Sequence, residues 1–332
     1  MSNQPAQQSN LSRGYLFAFI SSAFLSTTAI FIRHLSQTYH VPSLVVAFWR
    51  DAFAVLTLLT ILGFVQPRLL RMDRRHLFYM VGYGFVLAFF NAFWTLSVSL
   101  NGAAIATVLV YSSTAFTALL GWWILKERLD WVKLLAVIVC LGGCALVSGA
   151  LEQSVWNANL GGILAGILSG LGYAFYSLMG RSASQRGFNP WTTLFYTFCF
   201  ATIFLLFFNL LPGGIIPGAA TRPADIFWLG NSLVGWGILF LLAAVPTLAG
   251  FGFYNVCLGY LPSSIANLIL TTEPAFTLLT AYILLGERLN TIQIIGSLTI
   301  LSGVIALRVY EGWSAGKIPA EMTNTVDAVL PG

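Results

Sequence analysis

Ten apolar runs divide the sequence, and each is about as long as an α-helix that crosses a lipid bilayer. They cover approximately residues 14–32, 44–64, 77–99, 103–124, 131–150, 160–180, 191–211, 235–258, 264–285 and 291–310. A spanning helix needs about 20 mostly apolar residues, because the hydrocarbon core is about 30 Å thick and a helix rises about 1.5 Å per residue. We therefore predict an all-α integral membrane protein with ten transmembrane helices.

The low content of charged residues also indicates a lipid environment. Charged residues make up 8% of the 332 positions, whereas a soluble domain carries about 25%. So few charges cannot cover a water-facing surface, and the lipid bilayer is the predicted partner of most of the molecular surface. The net charge of +5 does not indicate a nucleic-acid partner, because the basic residues lie mainly in the loops between apolar runs.

No cofactor, metal site or catalytic site is predicted. The cysteines all lie inside apolar runs, at Cys140, Cys144, Cys199 and Cys257. Cys140 and Cys144 share a helix face, but no histidine or second cysteine pair accompanies them, so packing is the favoured interpretation. The sequence lacks the ATP-binding and hydrolase motifs that would indicate ATP-driven transport or catalysis.

Basic residues are distributed unevenly between the two sides of the membrane. If the N-terminus is cytoplasmic, the inner segments hold Arg13, Arg68, Arg71, Arg74, Arg75, Lys126, Arg128, Lys133, Arg181, Arg186, Arg308 and Lys317. The outer segments hold only Arg33, Arg222 and Arg288. Cytoplasmic loops of membrane proteins carry an excess of lysine and arginine, so both termini are predicted to be cytoplasmic. The first run is long enough to span and ends at Arg33 rather than at a small-residue cleavage site, which predicts a retained helix.

The chain also repeats itself at an offset of 160 residues. Ile105-Ala106 matches Ile265-Ala266, Ala115-Phe116-Thr117 matches Ala275-Phe276-Thr277, and Glu127-Arg128-Leu129 matches Glu287-Arg288-Leu289. The predicted parts are a cytoplasmic tail at 1–13, a first five-helix repeat at 14–150, a second at 151–310, and a disordered cytoplasmic tail at 311–332.

Five spans per repeat is an odd number, so the second copy must enter the membrane from the opposite side. Two inverted five-helix repeats are typical of secondary transporters, whose substrate site lies near the bilayer midplane between the halves. The alternative is a gene duplication in a membrane protein that does not transport.

The most distinctive motifs lie between Leu258 and Leu289. Gly259-Tyr260-Leu261-Pro262 is followed by Ala266, Glu273-Pro274 and Gly286-Glu287-Arg288-Leu289. This order resembles the second repeat of the EamA-type permeases in the drug/metabolite transporter superfamily. The first repeat is similar through Arg50 and Lys126-Glu127-Arg128-Leu129, and the resemblance extends over residues 14–310. It departs where Asp51 follows Arg50 and where Ser113-Thr114 stands in place of Glu273-Pro274.

The resemblance implies export or exchange of a small-molecule substrate without a cofactor. Members of this superfamily carry amino acids, aromatic compounds, cationic drugs or nucleotide-like solutes. The resemblance also implies a bacterial inner membrane as the location. The expected assembly is a monomer or homodimer.

Three charged side chains lie well inside apolar runs, at least six residues from either end of the run. Glu273 lies about halfway along its span, where a charge must be paired, protonated or face a wet cavity. It would contact a substrate amine, exchange a proton, or brace the helix break caused by Pro274. Arg50 and Asp51 would pair with each other or with a neighbouring helix, or Arg50 would hold a substrate carboxylate.

Aromatic and polar side chains near these charges form the predicted substrate site. The predicted substrate-binding residues are Asn91, Trp94, Tyr111, Tyr173, Tyr176, Tyr254, Asn255, Asn267, Thr271 and Glu273, with Arg50, Asp51 and Glu273 as coupling or structural charges. Flat aromatic walls suit aromatic or cationic solutes.

The combined prediction is an alternating-access transporter of a small amphiphilic metabolite. Aromatic or hydrophobic amino acids are the first expected substrates, moved in the export direction, with proton coupling through Glu273 as a further hypothesis. The alternatives are an intramembrane enzyme that modifies lipids or glycans, a non-transporting scaffold, and a channel.

Overall fold

The computed structural model describes residues 4–127, 129–147, 160–211, 216–276, 279–280 and 290–315. Throughout these residues the regular structure is helical. The helices, numbered in chain order, are α1 Gln4–Leu25, α2 Thr28–Thr38, α3 Ser43–Val65, α4 Arg74–Val110, α5 Ser112–Ile124, α6 Trp131–Val147, α7 Leu160–Gln185, α8 Pro190–Leu210, α9 Leu233–Leu242, α10 Leu248–Tyr260, α11 Ser263–Leu270 and α12 Thr291–Ala315.

Within the described residues, six helical segments are long and apolar enough to cross a membrane. They are Leu11–Thr38, Ser43–Val65, Arg74–Leu100, Leu160–Gln185, Pro190–Leu210 and Leu233–Tyr260. Two shorter apolar helices, Trp131–Leu146 and Ile294–Leu307, fall on two further predicted spans. The all-helical membrane architecture predicted from the apolar runs is therefore confirmed at this level.

Helix starts follow local sequence signals. The first four backbone N–H groups of a helix have no partner within it, and side-chain oxygens before the helix can accept from them. Asn189 accepts a 2.9 Å hydrogen bond from the backbone nitrogen of Trp191 at the start of α8, where Pro190 has no N–H group to satisfy. Ser232 accepts similarly from Gly235 at the start of α9.

The first apolar span differs from its predicted form at both ends and in its middle. Helix α1 begins at Gln4, ten residues before the predicted start at residue 14, and the span bends between α1 and α2. At the bend, the Ser26 hydroxyl donates to the carbonyl of Ala23 and the Thr27 hydroxyl to that of Phe24, at 2.7 and 2.9 Å. Hydroxyl groups that bond back to the preceding turn commonly bend helices.

A reversal of direction lies within α4. Twelve residues of straight helix would separate Ser97 from Leu109 by about 18 Å. Instead, the Ser97 hydroxyl and the Leu109 Cβ lie 2.9 and 2.6 Å from one point, the position that a Cβ would take on Gly166. The chain therefore turns back between these two residues, which agrees with the predicted division into spans at 77–99 and 103–124.

The eighth and ninth predicted spans are interrupted. Between α9 and α10 the chain forms a π-helical turn at Ala243–Thr247 that contains Pro246. Helix α11 ends at Leu270, and the turn at 271–272 leads into a helical segment at 273–276. Residues 281–289, which include Glu287-Arg288-Leu289 of the internal repeat, and 316–332, which form most of the predicted C-terminal tail, lie outside the described residues.

Helices of the N-terminal half of the chain pack directly on helices of the C-terminal half. Helix α4 packs on α7 and α1 packs on α10, while α5 packs on α7 and α1 packs on α11. Helix α4 packs on α8, and α3 packs on the π-helical turn that precedes α10. Further pairs that cross between the halves include α3 with α8, α5 with α11 and α6 with α12.

Candidate functional site

A cavity lies between helices from the N-terminal and the C-terminal half of the chain. It contains about 540 Å³ of space free of protein atoms, part of it open to the outside. Its lining side chains are Leu25, Thr28, Arg50, Phe90, Trp94, Val110, Tyr111, Tyr173, Phe251, Leu270 and Glu273. The cavity thus brings together five predicted site residues, Arg50, Trp94, Tyr111, Tyr173 and Glu273.

Aromatic rings form much of the cavity wall. The ring of Phe90 lies 4.9 Å from that of Tyr173 and 6.4 Å from those of Trp94 and Phe251, measured between centroids. Contacts at these distances hold the rings in tilted arrangements and present flat apolar faces. The wall therefore suits an apolar or aromatic group of a small molecule.

Arg50 provides positive charge at the cavity. It bonds to Asp51, which in turn bonds to Asn91. Its Nε donates to Asp51 Oδ1 at 3.2 Å, and Asn91 Nδ2 donates to Asp51 Oδ2 at 2.7 Å. The Arg50 side chain is only 2% exposed, and its guanidinium carbon lies 6.0 Å from the centroid of the Trp94 ring. Asp51 and Asn91 are buried and do not line the cavity.

Three polar atoms of cavity-lining residues are buried and have no hydrogen-bond partner among the described residues. They are Arg50 Nη2 and the hydroxyls of Thr28 and Tyr173. A buried polar group without a partner costs about 1–3 kcal/mol, and more if it is charged. Each of these atoms can therefore bind a hydrogen-bonding group within the cavity.

Glu273 provides negative charge at the same cavity. Its carboxyl group forms a side-chain hydrogen bond with the hydroxyl of Tyr111. Just before it, the Thr271 and Thr272 hydroxyls donate to the carbonyls of Leu268 and Ile269 at the end of α11. Thr271 bonds within its own helix and does not line the cavity.

The remaining predicted site residues lie in a buried polar network next to the cavity. The Tyr254 ring stacks on Tyr173 with centroids 5.6 Å apart, and its hydroxyl lies 2.6 Å from that of Ser177. Asn255 Nδ2 donates to the Tyr176 hydroxyl at 2.8 Å. None of these three residues, Tyr176, Tyr254 and Asn255, lines the cavity. They pack behind Tyr173, which does line it.

Asn267 connects three helices in this network. Its Oδ1 accepts from the hydroxyls of Ser113 and Thr114 at 3.1 and 3.3 Å. Its Nδ2 donates to the hydroxyls of Thr117 and Ser177 at 3.0 and 3.3 Å. A single amide on α11 thus links α5 and α7, and it is fully buried rather than open to the cavity.

A second polar contact between the halves was not predicted. The Glu127 carboxylate accepts from the backbone nitrogens and hydroxyls of both Ser263 and Ser264, at distances between 2.7 and 3.3 Å. We name these four hydrogen bonds the Glu127 latch. Negative charge at a helix N-terminus is favourable because the free N–H groups there carry partial positive charge.

Several cavity-lining residues were also not predicted, namely Leu25, Thr28, Val110, Phe251 and Leu270. The internal repeat contains a signal for two of them. Val110 and Leu270 are 160 positions apart and therefore occupy equivalent places in the two repeats. Thr28 and Leu25 flank the bend between α1 and α2, which apolar content alone does not reveal.

Two segments of the chain, 12–149 and 160–309, match the EamA-like transporter family. The chain belongs to this family. The predicted resemblance to EamA-type permeases is thereby confirmed, and the internal repeat agrees with one family match in each half. The chain is an integral membrane transporter for a small molecule and not an enzyme.

Its relatives are transporters from bacteria and archaea. An uncharacterized transporter of Archaeoglobus fulgidus is 27% identical over 86% of this chain and 93% of its own length. The threonine/homoserine exporter RhtA of Salmonella typhimurium is 25% identical over 74% of this chain and 75% of its own length. A solved structure with 15% identity covers 89% of this chain and 96% of its own, with a TM-score of 0.68, which shows a shared fold.

Proposed function

We propose that this family member is a secondary transporter that moves a small amphiphilic metabolite by alternating access. Aromatic or hydrophobic amino acids, carried in the export direction, are the first substrates to test. The observation that carries this proposal is one cavity with Arg50, Glu273 and an aromatic wall. A zwitterion with an apolar side chain matches all three features.

The lining of the cavity supports a substrate of this class. Small-molecule sites are lined mainly by apolar side chains with a few polar groups. Of the eleven described residues that line the cavity, six are aliphatic or aromatic without a charge or hydroxyl, and Arg50 and Glu273 are the charged ones. Such a wall matches an amino acid with an apolar side chain, whereas a nucleotide would bring negative charge that the wall does not match.

We propose ten transmembrane helices in two inverted repeats, at 14–150 and 151–310, between tails at 1–13 and 311–332. The two family matches and the 160-residue offset support the repeats. Helix packing supports them as well, because the pairs α4–α7 and α1–α10 exchange under the repeat, as do α5–α7 and α1–α11. An inverted repeat predicts such reciprocal pairs.

The position of the Glu127 latch supports closure on one side of the membrane. Along α11, Ser263 contacts Glu127 and Leu270 lines the cavity, about 10 Å further along the helix. With both termini cytoplasmic, as the basic residues predict, the latch lies on the cytoplasmic side of the cavity. We propose that opening the latch admits substrate from the cytoplasm, in a bacterial inner membrane.

Transport by the purified protein in liposomes tests this proposal. Uptake and counterflow of labelled phenylalanine, tryptophan, leucine, threonine and homoserine would be measured with and without a pH gradient. Saturable flux of an aromatic or aliphatic member is expected, and a response to the gradient would support proton coupling through Glu273. Saturable flux of threonine and homoserine alone would replace the proposed substrate by that of the Salmonella relative. No saturable flux of any member would contradict the proposed function.

A matched pair of tryptophans provides the control. Trp94 lines the cavity, whereas Trp123 is 66% exposed on the outside of the described structure. Replacing Trp94 by leucine should raise the half-saturating substrate concentration, and Trp123→Leu should leave it unchanged. Equal effects of the two substitutions would show that the aromatic wall does not bind substrate.

A further inference from the structure

We propose that Arg50 Nη2 and the Thr28 hydroxyl form a subsite for the carboxylate of the substrate. This inference rests on the proposed function, because it assigns a chemical class to the molecule that occupies the cavity. Arg50 belongs to α3 and Thr28 to the first turn of α2, and both line the cavity.

Two atoms of these side chains form no hydrogen bond to the described part of the protein. Within the described residues, neither Arg50 Nη2 nor Thr28 Oγ1 has a hydrogen-bond partner, although Arg50 is 2% exposed and Thr28 is 5% exposed. Burying donors in this way is unfavourable unless a bound group accepts from them. A carboxylate is the simplest such acceptor, because a guanidinium group and a hydroxyl both donate to it in short charge-assisted hydrogen bonds.

The orientation of Arg50 is set by its neighbours rather than by the substrate. Asp51 accepts from Nε, and Asn91 in turn donates to Asp51, so both oxygens of the Asp51 carboxylate are engaged. The bond to Asp51 uses one edge of the guanidinium group and leaves Nη2 without a protein partner. Asp51 and Asn91 are therefore positioning residues for the donor that contacts the ligand.

The local charge selects a carboxylate over a phosphate. Arg50 is the only basic side chain among the described residues that line the cavity, and Asp51 already balances its charge. Glu273 adds negative charge at the same cavity. A phosphate dianion would add two negative charges without a partner, whereas a ligand with one carboxylate and one ammonium group adds no net charge to the cavity.

The same geometry places the rest of the ligand. Because the guanidinium carbon lies 6.0 Å from the Trp94 ring centroid, a carboxylate on Nη2 brings the adjoining carbon atoms to the aromatic wall. A ligand with an ammonium group then has Glu273 as its partner in the same cavity. The carboxylate is the part of the ligand that Arg50 and Thr28 recognise, and the side chain is recognised by the rings.

Binding of three related probes to the detergent-solubilised full chain tests this subsite without requiring transport. The probes are phenylalanine, 3-phenylpropionate, which lacks the amine, and phenethylamine, which lacks the carboxylate. Thermal stabilisation would be measured as a function of probe concentration. We expect phenylalanine and 3-phenylpropionate to raise the unfolding temperature, and phenethylamine to do so only at about tenfold higher concentration or above.

Thr28→Val is the decisive variant. It replaces the hydroxyl by a methyl group of similar shape, and no described group loses a hydrogen bond. The unfolding temperature without ligand should therefore stay the same or rise, while the affinity for both carboxylates falls about tenfold. The matched control is Thr197→Val, since the Thr197 hydroxyl is also buried without a partner among the described residues but does not line the cavity. Arg50→Lys keeps the charge and should weaken binding of both carboxylates but not of phenethylamine.

The outcomes separate this inference from the proposed function. Equal stabilisation by phenethylamine and 3-phenylpropionate, no stabilisation by either carboxylate, or equal losses in Thr28→Val and Thr197→Val would overturn the carboxylate subsite. None of these three results would contradict saturable transport, which the liposome assay measures separately. Conversely, carboxylate binding that depends on Thr28, without saturable flux of any substrate, would support the subsite and contradict the transporter cycle.

Discussion

The Glu127 carboxylate accepts a 2.8 Å hydrogen bond from the backbone nitrogen of Ser263, which lies 136 positions further along the chain at the first residue of α11. Three more hydrogen bonds from Ser263 and Ser264 complete the latch. The contact joins the turn after α5 to α11, the helix that carries Asn267. Glu273 follows three residues after the end of this helix. Helix α11 therefore connects the partly buried contact at Ser263 to the cavity wall at Leu270.

The latch predicts that removing the charge of Glu127 opens the cytoplasmic side. Glu127→Gln replaces charge-assisted hydrogen bonds by weaker ones and loses an acceptor, which should cost about 1.5–3 kcal/mol in the latched state. The buried thiol of Cys257, six residues before Ser263, should then react with a membrane-permeant maleimide about tenfold faster. The other three cysteines would be replaced by alanine for this measurement.

Asp130→Asn is the control for the latch, because Asp130 lies in the same turn and is exposed. It should leave the labelling rate of Cys257 unchanged. Unchanged labelling in Glu127→Gln as well would show that the four hydrogen bonds do not hold the cytoplasmic side closed.

Asn267 is expected to contribute strongly to stability. Asn267→Ala removes four hydrogen bonds to α5 and α7 and leaves the Ser113 and Thr114 hydroxyls buried without their acceptor, so the loss should be about 2–4 kcal/mol. The unfolding temperature in detergent should fall by several degrees. Asn231→Ala, at an exposed loop position, should not change it. Similar unfolding temperatures for both variants would mean that solvent or other side chains replace the Asn267 contacts.

Two adjacent glycines on α6 offer a test of helix packing. A Cβ on Gly143 would lie 2.9 Å from the carbonyl oxygen of Gly296 and 2.7 Å from Ile300 Cγ1 on α12, whereas a Cβ on Gly142 would meet no atom within 4 Å. Gly143→Ala should therefore separate α6 from α12 and destabilise the protein by about 1–3 kcal/mol.

Gly142→Ala should be neutral or stabilising by up to about 1 kcal/mol, because alanine is the better helix former. Thermal unfolding of the two purified variants measures the difference. Equal unfolding temperatures would show that α6 and α12 do not pack closely at Gly143.

Glu273 predicts the pH response of transport. Glu273→Gln retains the hydrogen-bonding shape but cannot exchange a proton, so transport by this variant should no longer respond to a pH gradient. Counterflow, which requires no net proton movement, should persist at a reduced affinity for amino acids. Wild-type gradient dependence in Glu273→Gln would exclude this coupling role.

Asp225→Asn is the control for Glu273, since Asp225 lies in the loop before α9. Hydrogen bonds from the Thr221 hydroxyl at 2.6 Å and the Arg222 backbone hold the pKa of Asp225 below its ordinary value. Because its pKa is lowered, Asp225 ionises at a lower pH than an ordinary aspartate and is ionised at neutral pH. Its replacement should leave the pH profile of transport between pH 6 and 8, about one unit either side of neutral, unchanged.

Much of the architecture can be predicted from single segments of the sequence. In lipid each spanning helix must form its backbone hydrogen bonds internally, and it must be long enough to cross the hydrocarbon core. A run of about 20 apolar residues can therefore be assigned as a span without knowing which helices surround it. The family motifs around Glu273 and Lys126 are local as well. The turn inside α4, predicted between residues 99 and 103, was foreseen because two bilayer lengths of apolar sequence cannot form one straight span.

The cavity and the latch depend on contacts that no local pattern contains. Arg50 and Thr28 reach one cavity only because α1 and α2 bend at Ser26 and Thr27, and Tyr254 and Asn255 lie behind the cavity although they are polar and aromatic. Which face of a helix meets its neighbour is set by small residues and crossing geometry between segments far apart in sequence. The partner of Glu127 is for that reason a property of the packed helices.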